Sequence, residues 1–145
     1  MINPHKEKYF DLYWNIAYAA AAQSVAERKK VGAVLVLPTG MISPGWNGMP
    51  AGFENSCEEY LPRNMEQTTK PEVIHAERNA IDKMTRQGIP TQGSLLFVTM
   101  MPCFECAKAI HGLGLKAIYY DESYRCDKGI KLLERAGVKV LPRNN

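Results

Sequence analysis

The chain has 145 residues, of which 46% are hydrophobic and 23% charged, so it is neither a disordered nor a fibrous protein, and we expect one domain over residues 1–145. Its formal net charge of +3 is too small to indicate binding to nucleic acid. No apolar run reaches membrane-spanning length and no signal-peptide pattern is visible, so we expect a cytoplasmic protein without a membrane partner. Four cysteines in such a chain indicate free thiols or metal ligands.

The first predicted element is a long helix over residues 6–28. Small and apolar side chains recur there at helical spacing, and the alanine run at 19–22 has high helix propensity. The basic trio Arg28-Lys29-Lys30 follows, and a positive charge at a helix C-terminus is favoured by the helix dipole.

A β-hairpin is predicted next. Residues 31–37 and 41–46 are short apolar runs on either side of the turn sequence PTG, and Pro44 indicates that the second strand lies at a sheet edge or ends early. Residues 47–73 show no clear period, and such long connections are often functional.

The second half of the chain alternates between helices and strands. Predicted are a helix from residue 72 or 75 to 87, a strand at 94–100, a helix at 104–113, a strand at 116–120, a helix at 127–136 and a strand at 138–141. Because crossover helices connect parallel strands, we predict an α/β fold in three α-β-α layers, with a five-stranded mixed sheet and helices on both faces.

Three potential metal ligands stand at predicted helix starts. Cys103 and Cys106 follow Pro102 where a strand gives way to a helix, and His75 begins another helix. If both helix starts lie at the same sheet edge, two sulfurs and one nitrogen converge in a set that suits Zn²⁺. Three protein ligands leave a fourth position open, as in catalytic rather than structural zinc sites. Glu77 lies next to this site, and we predict that it carries protons rather than binds the metal.

Each half of this pattern is ambiguous when it is taken alone. An HxE sequence is common at helix starts, and a CxxC pair can be a redox pair, part of a structural zinc site or a coincidence. The combination of H-x-E with P-C-x-x-C is far more specific, because it is the signature of the zinc deaminases.

Four segments extend the resemblance from about residue 8 to residue 141. They are VGAV at 31–34, WNGMPAG at 46–52, HAERNAI at 75–81 and PCFECAKAI at 102–110. The chain resembles the deoxycytidylate (dCMP) deaminases, within the cytidine-deaminase-like fold. The resemblance implies hydrolysis of dCMP to dUMP and ammonia, which supplies dUMP for dTMP synthesis, with Glu77 as the proton carrier and one catalytic zinc per chain.

The same resemblance implies a set of substrate contacts. The backbone at Ala76 and Pro102 would border the base, Asn47 would bond the deoxyribose 3′-OH, and Arg28 and Tyr124 would contact the phosphate. It also implies a homo-oligomer, with a hexamer favoured, that is activated by dCTP and inhibited by dTTP.

The effector site is expected at the glycine-rich loop, with Gly45, Asn47, Gly48 and Gly52 as its residues. Some members of the family hold a second, structural zinc in the connection before HAE. Cys57 is the one cysteine between residues 47 and 74, and no histidine lies there, so a second zinc is not expected. The alternatives are a deaminase that acts on free cytidine nucleoside or on dCTP, and a non-catalytic zinc-binding module.

Overall fold

The computed structural model describes residues 2–63 and 66–144, and that part of the chain contains four α-helices and seven strands. A short 3-10 helix, Glu7–Tyr9, precedes the first of them. The helices are α1 (Phe10–Ala21), α2 (Ala76–Arg86), α3 (Phe104–Ile110) and α4 (Lys128–Arg135). The strands are β1 (Gly32–Val36), β2 (Ile42–Trp46), β3 (Glu58–Tyr60), β4 (Gln67–Thr69), β5 (Leu95–Met100), β6 (Ala117–Glu122) and β7 (Val140–Pro142).

Five strands form one mixed sheet in the order β2-β1-β5-β6-β7. Strand β1 pairs antiparallel with both β2 and β5, whereas β5, β6 and β7 run parallel to one another. The parallel pairs are joined by α3 and α4, as crossover connections require. The predicted five-stranded mixed sheet is therefore confirmed, and so is the position of the Pro44 strand at an edge.

Helices cover both faces of this sheet, which confirms the three α-β-α layers. Helix α1 packs over Val34 and Val36, with the Phe97 ring at the centre of an aromatic cluster. The Phe97 ring centroid lies 5.0–5.4 Å from four other rings, those of Phe10, Tyr13, Trp14 and Tyr119. Side chains of α2, α3 and α4 fill the opposite face, because alternate residues of β1 and β5 point there.

Two expectations for the first half of the chain are wrong. The helix predicted over 6–28 ends at Ala21, and residues 22–31 continue without helix or strand, so the basic trio 28–30 is not a helix terminus. The connection 47–73, in which no helix or strand was predicted, contains the antiparallel two-stranded sheet of β3 and β4. Both corrections affect the site, because these two segments are hydrogen-bonded to each other beside it.

No helix in the described ranges is long and apolar enough to cross a membrane.

Candidate metal centre and active-site pocket

Two helix starts bring the three predicted metal ligands together. His75 is the N-cap residue of α2, Cys103 is the N-cap residue of α3, and Cys106 lies in the first turn of α3. His75 Nδ1 is 3.2 Å from Cys106 Sγ and 3.5 Å from Cys103 Sγ. All three donor atoms lie within 4.8 Å of one another, and they form the metal-ligand cluster found among the described residues.

The spacing and chemistry of these donors fit zinc. With Zn–S bonds of about 2.3 Å and Zn–N bonds of about 2.0–2.1 Å, a tetrahedral centre separates nitrogen from sulfur by about 3.6 Å. The separations of 3.2 and 3.5 Å are close to that value. Two thiols and one imidazole also suit zinc better than a metal that prefers oxygen ligands. His75, Cys103 and Cys106 would therefore hold the ion.

Hydrogen bonds among these ligands favour a thiolate at the site. The pKa of Cys103 is lowered to about 4 by a hydrogen bond with the Cys106 side chain and by a further one with His75. The same Cys103 contact, followed by burial, raises the pKa of Cys106. The pKa of His75 is raised by its hydrogen bond with Cys103. Cys103 is therefore the ligand most readily present as a thiolate, which is the form in which a cysteine binds a metal.

Glu77 is buried in the first turn of α2, directly beside this cluster. Its side chain is 4% exposed, and burial raises the pKa of the carboxyl group. A buried carboxyl group with a raised pKa beside such a cluster is suited to act as a proton carrier.

A cavity of about 280 Å³ opens next to the cluster and brings most of the predicted site residues together. The following predicted residues line it: Arg28, Asn47, His75, Ala76, Glu77, Cys103 and Tyr124. Pro102 is buried behind its neighbours Met101 and Cys103, which do line the cavity. The cavity is of the size that small-molecule sites occupy.

The chain matches a known protein family over most of its length. The family profile described as "Cytidine and deoxycytidylate deaminase zinc-binding region" matches residues 7–122. The chain belongs to this deaminase family. The resemblance noted in the sequence and the cytidine-deaminase-like fold are thus confirmed.

Several known proteins resemble the chain over most of its length. It is 36% identical to ComE operon protein 2 of Bacillus subtilis over 133 residues, which cover 88% of the chain and 69% of that protein. It is 32% identical to the deoxycytidylate deaminase of Enterobacteria phage T4, with 90% and 88% covered. The crystal structure of the dCMP deaminase from cyanophage S-TIM5 in complex with dCMP and dUMP superposes with a TM-score of 0.86 at 38% identity, covering 95% of this chain and 98% of that one.

Within this deaminase site, Asn47 already makes two hydrogen bonds to the backbone. Its Oδ1 accepts from the N–H of Val31 at 2.9 Å, and its Nδ2 donates to the carbonyl of Lys29 at 2.8 Å. An asparagine amide has a second N–H and a second lone pair, so a sugar hydroxyl can still be bound. Asn47 therefore also holds the segment that carries the basic side chains.

Two of the three glycines predicted to bind an effector, Gly45 and Gly48, make close backbone contacts in this deaminase fold. A Cβ on Gly45 would lie 2.5 Å from both the carbonyl oxygen of Ala76 and the nitrogen of Ala80. Because glycine has no side chain, α2 can pack directly on β2 at this position. Gly48 exchanges two backbone hydrogen bonds with Ile74, next to His75. Gly52 lies in a turn. These contacts explain the residues structurally, and the effector role stays a prediction.

A further glycine of the deaminase chain packs against the metal-ligand loop. Gly129 is buried on α4, and a Cβ there would lie 2.4 Å from the carbonyl oxygen of Pro102 and 2.8 Å from that of Cys103. The missing side chain therefore lets α4 support the segment that carries a zinc ligand.

Three polar or charged residues of the cavity were not predicted as site residues. Lys29, Glu58 and Thr69 all line the cavity. Glu58 and Thr69 lie on β3 and β4, whose sequences EEY and QTT have neither the length nor the apolar alternation that predicts strands. Lys29 was noted only as part of a predicted helix end. Cys57 is buried and also reaches the cavity.

Proposed function

We propose that this chain hydrolyses dCMP to dUMP and ammonia. The observation that carries the proposal is the placement of a buried carboxyl group, Glu77, against a His/Cys/Cys donor set at the base of a cavity bordered by Arg28. Hydrolytic deamination of cytosine needs an activated water and a group that moves protons. The match to relatives named deoxycytidylate deaminase supports dCMP as the substrate.

Glu77 is the proton carrier in this proposal. Bound zinc would supply the Lewis acid that makes water nucleophilic near neutral pH. Glu77 accepts one proton from the water that attacks C4 of the cytosine and passes it to N3. The same carboxyl group then carries the second proton of the water to the exocyclic amine. The C4–N bond breaks and ammonia leaves, while C4 keeps the oxygen.

The remaining cavity residues would orient the nucleotide. We assign the base to the backbone at Ala76 and Pro102, the deoxyribose 3′-OH to Asn47, and the phosphate to Arg28 and Tyr124. Arg28 and Tyr124 are exposed at the cavity, as contact with a charged group requires, whereas Ala76 and Pro102 are buried near the metal ligands. The phosphate of the substrate would thereby face outward, and C4 of the cytosine would face inward, toward the metal ligands.

We further propose a cytoplasmic homo-oligomer, with a hexamer favoured, in which residues 1–145 form one domain, dCTP activates and dTTP inhibits. The family resemblance supports these assignments. Exposed Phe53, Tyr60 and Leu61 in the connection before α2 support an interface between copies.

The test of the function is ammonia release from dCMP, dCTP and deoxycytidine, measured side by side on zinc-loaded protein. We expect dCMP to react far faster than the other two substrates. Equal rates on all three would contradict recognition of a single phosphate, and a clear preference for deoxycytidine or dCTP would establish one of the alternative deaminases instead.

A pair of neighbouring variants refines this test. Arg28→Ala removes a charge at the cavity, and we expect kcat/KM for dCMP to fall by about 10–100-fold, the range for a lost charged hydrogen bond. Lys30→Ala is the matched control, because Lys30 is exposed and is not among the residues that line the cavity. Equal losses of kcat/KM in the two variants would contradict a role for Arg28 in binding the phosphate.

A further inference from the structure

The segment that carries Arg28 has no regular structure of its own. Residues 22–31 follow α1 without helix or strand, so their backbone groups need partners other than a helix or sheet ladder. Asn47 binds one end of this segment, at Lys29 and Val31. The part nearest Arg28 is held from the opposite side, by the two-stranded sheet of β3 and β4.

Glu58 of β3 supplies the main contact. Its side chain is only 9% exposed, and both carboxylate oxygens accept a hydrogen bond from the N–H of Glu27 at 3.1 Å. One of them also accepts from the N–H of Arg28 itself at 3.2 Å. A buried carboxylate that receives backbone N–H groups in this way is held in place and in turn fixes the backbone.

Strand β4 adds two side-chain contacts to the same segment. Gln67 Nε2 donates to the Glu27 carboxylate at 2.6 Å, and the Arg28 guanidinium donates to Thr69 Oγ1 at 3.4 Å. Glu58 thus binds the backbone of Arg28 and not its guanidinium, whose partner here is a neutral hydroxyl. The charge of Lys29, by contrast, is paired with Glu122 of β6.

We propose that Glu58 is a positioning residue that fixes Arg28 in place for the substrate phosphate; this inference rests on the proposed function and deepens it. An arginine on an unstructured segment would lose conformational freedom on binding an anion, and ordering it beforehand removes that cost. Because Glu58 uses its charge on backbone N–H groups, the guanidinium keeps its charge for the ligand. The contribution of Glu58 is therefore specific to substrates that carry a phosphate.

The test compares Glu58→Gln with Glu59→Gln on dCMP and on deoxycytidine. Glutamine keeps the shape of Glu58 but loses its charge and puts an NH₂ group against a backbone N–H. We expect KM for dCMP to rise by about tenfold with kcat changed less than about twofold, the size of a lost charged hydrogen bond. Deoxycytidine turnover should change by less than about twofold. Glu59→Gln, an exposed change on the same strand, should resemble wild type in both assays.

Two outcomes would overturn the inference. The first is a ratio of kcat/KM for dCMP to kcat/KM for deoxycytidine that is unchanged in Glu58→Gln, which includes an equal loss on both substrates. The second is a loss matched by Glu59→Gln. If Glu58→Gln fails to fold, Thr69→Val replaces it, because it removes the hydroxyl partner of Arg28 from an exposed position. It should raise KM for dCMP by about two- to threefold, as a neutral hydrogen bond is weaker, and an unchanged KM would overturn the inference.

The same data separate this inference from the proposed function. A wild-type enzyme that does not prefer dCMP to deoxycytidine refutes the proposed function and the role of Glu58 with it. A wild-type enzyme that prefers dCMP, together with an unaffected Glu58→Gln, refutes the role of Glu58 alone.

Discussion

Replacement of Gly129 by alanine should weaken zinc binding more than it weakens the fold. The new Cβ would lie 2.4 Å from the carbonyl oxygen of Pro102, whereas ordinary contacts begin at 3.4 Å, so α4 and the metal-ligand loop must separate by about 1 Å. Zinc–ligand distances tolerate shifts of only about 0.2 Å. A displaced Cys103 should therefore lower zinc affinity by about 10–100-fold, the usual effect of losing support behind a metal ligand.

The expected change in folding stability is smaller. Alanine is favoured over glycine in a helix by about 1 kcal/mol. The steric contact costs about 1–3 kcal/mol, so the free energy of unfolding should fall by no more than about 2 kcal/mol. Zinc affinity can be measured by competition with a chromogenic chelator, and Co²⁺ substitution would report a changed ligand geometry through its visible spectrum. Chemical denaturation gives the stability.

Gly112→Ala is the control for this experiment. Nothing lies within 4 Å of a Cβ at Gly112, just beyond α3, so zinc affinity should be unaffected there. The reasoning would be refuted if Gly129→Ala bound zinc and displayed the Co²⁺ spectrum as wild type does, because the loop would then accommodate the methyl group without moving Cys103.

Other predictions concern separate parts of the chain. Glu77→Ala should retain zinc but lose about 10²–10⁴-fold in kcat, because a proton carrier and not a ligand is removed; loss of the metal, measured by atomic absorption, would refute that role. Ser94→Ala should leave the free energy of unfolding unchanged or raise it by up to about 1 kcal/mol, since the buried Ser94 Oγ has no hydrogen-bond partner among the described residues, and a clear loss in urea denaturation would contradict this. Burial and a hydrogen bond to Asp121 raise the pKa of Tyr18 from 10.0 to about 12, so that bond stabilises the fold below pH 10 and its contribution is lost as pH rises toward 12. The stability advantage of wild type over Tyr18→Phe should shrink across that range, and a constant difference in urea melts would argue against it.

The central sheet was predictable because its signals are local and strong. Continuous apolar runs mark β1 and β5 as buried strands. The alternation of strands and helices in the second half of the chain indicates that its strands pair in parallel. The metal ligands were predictable for a related reason. The sequence placed Cys103 and His75 at helix starts, and the fold meets the remaining condition by bringing these two starts together.

The end of α1 was not predictable from propensity. The alanine run continues through residue 22, yet the chain leaves the helix after Ala21, where neither proline nor glycine stops it. The non-helical conformation after Ala21 is stabilised by contacts with residues distant in the sequence, including the hydrogen bond that the Ser24 hydroxyl donates to the carbonyl of Asn47. Helix propensity of about 1 kcal/mol per residue or less is easily outweighed by such tertiary contacts.

The small sheet of β3 and β4 was missed for a similar reason. Its strands have three residues each, and only one of the six residues is buried, so they carry no hydrophobic pattern. Glu58 looks like an ordinary surface acid in the sequence. Its role depends on burial against the segment at residues 27 and 28, which is some thirty positions away in the chain.

Both outer strands of the main sheet contain a proline, Pro44 in β2 and Pro142 in β7. Proline has no backbone N–H, so a strand from another molecule could not form an uninterrupted hydrogen-bond ladder along either edge. Copies of this chain would therefore have to meet through helices and loops and not by extending the sheet. The same two prolines protect the molecule against edge-to-edge aggregation, the common hazard of an open β-sheet.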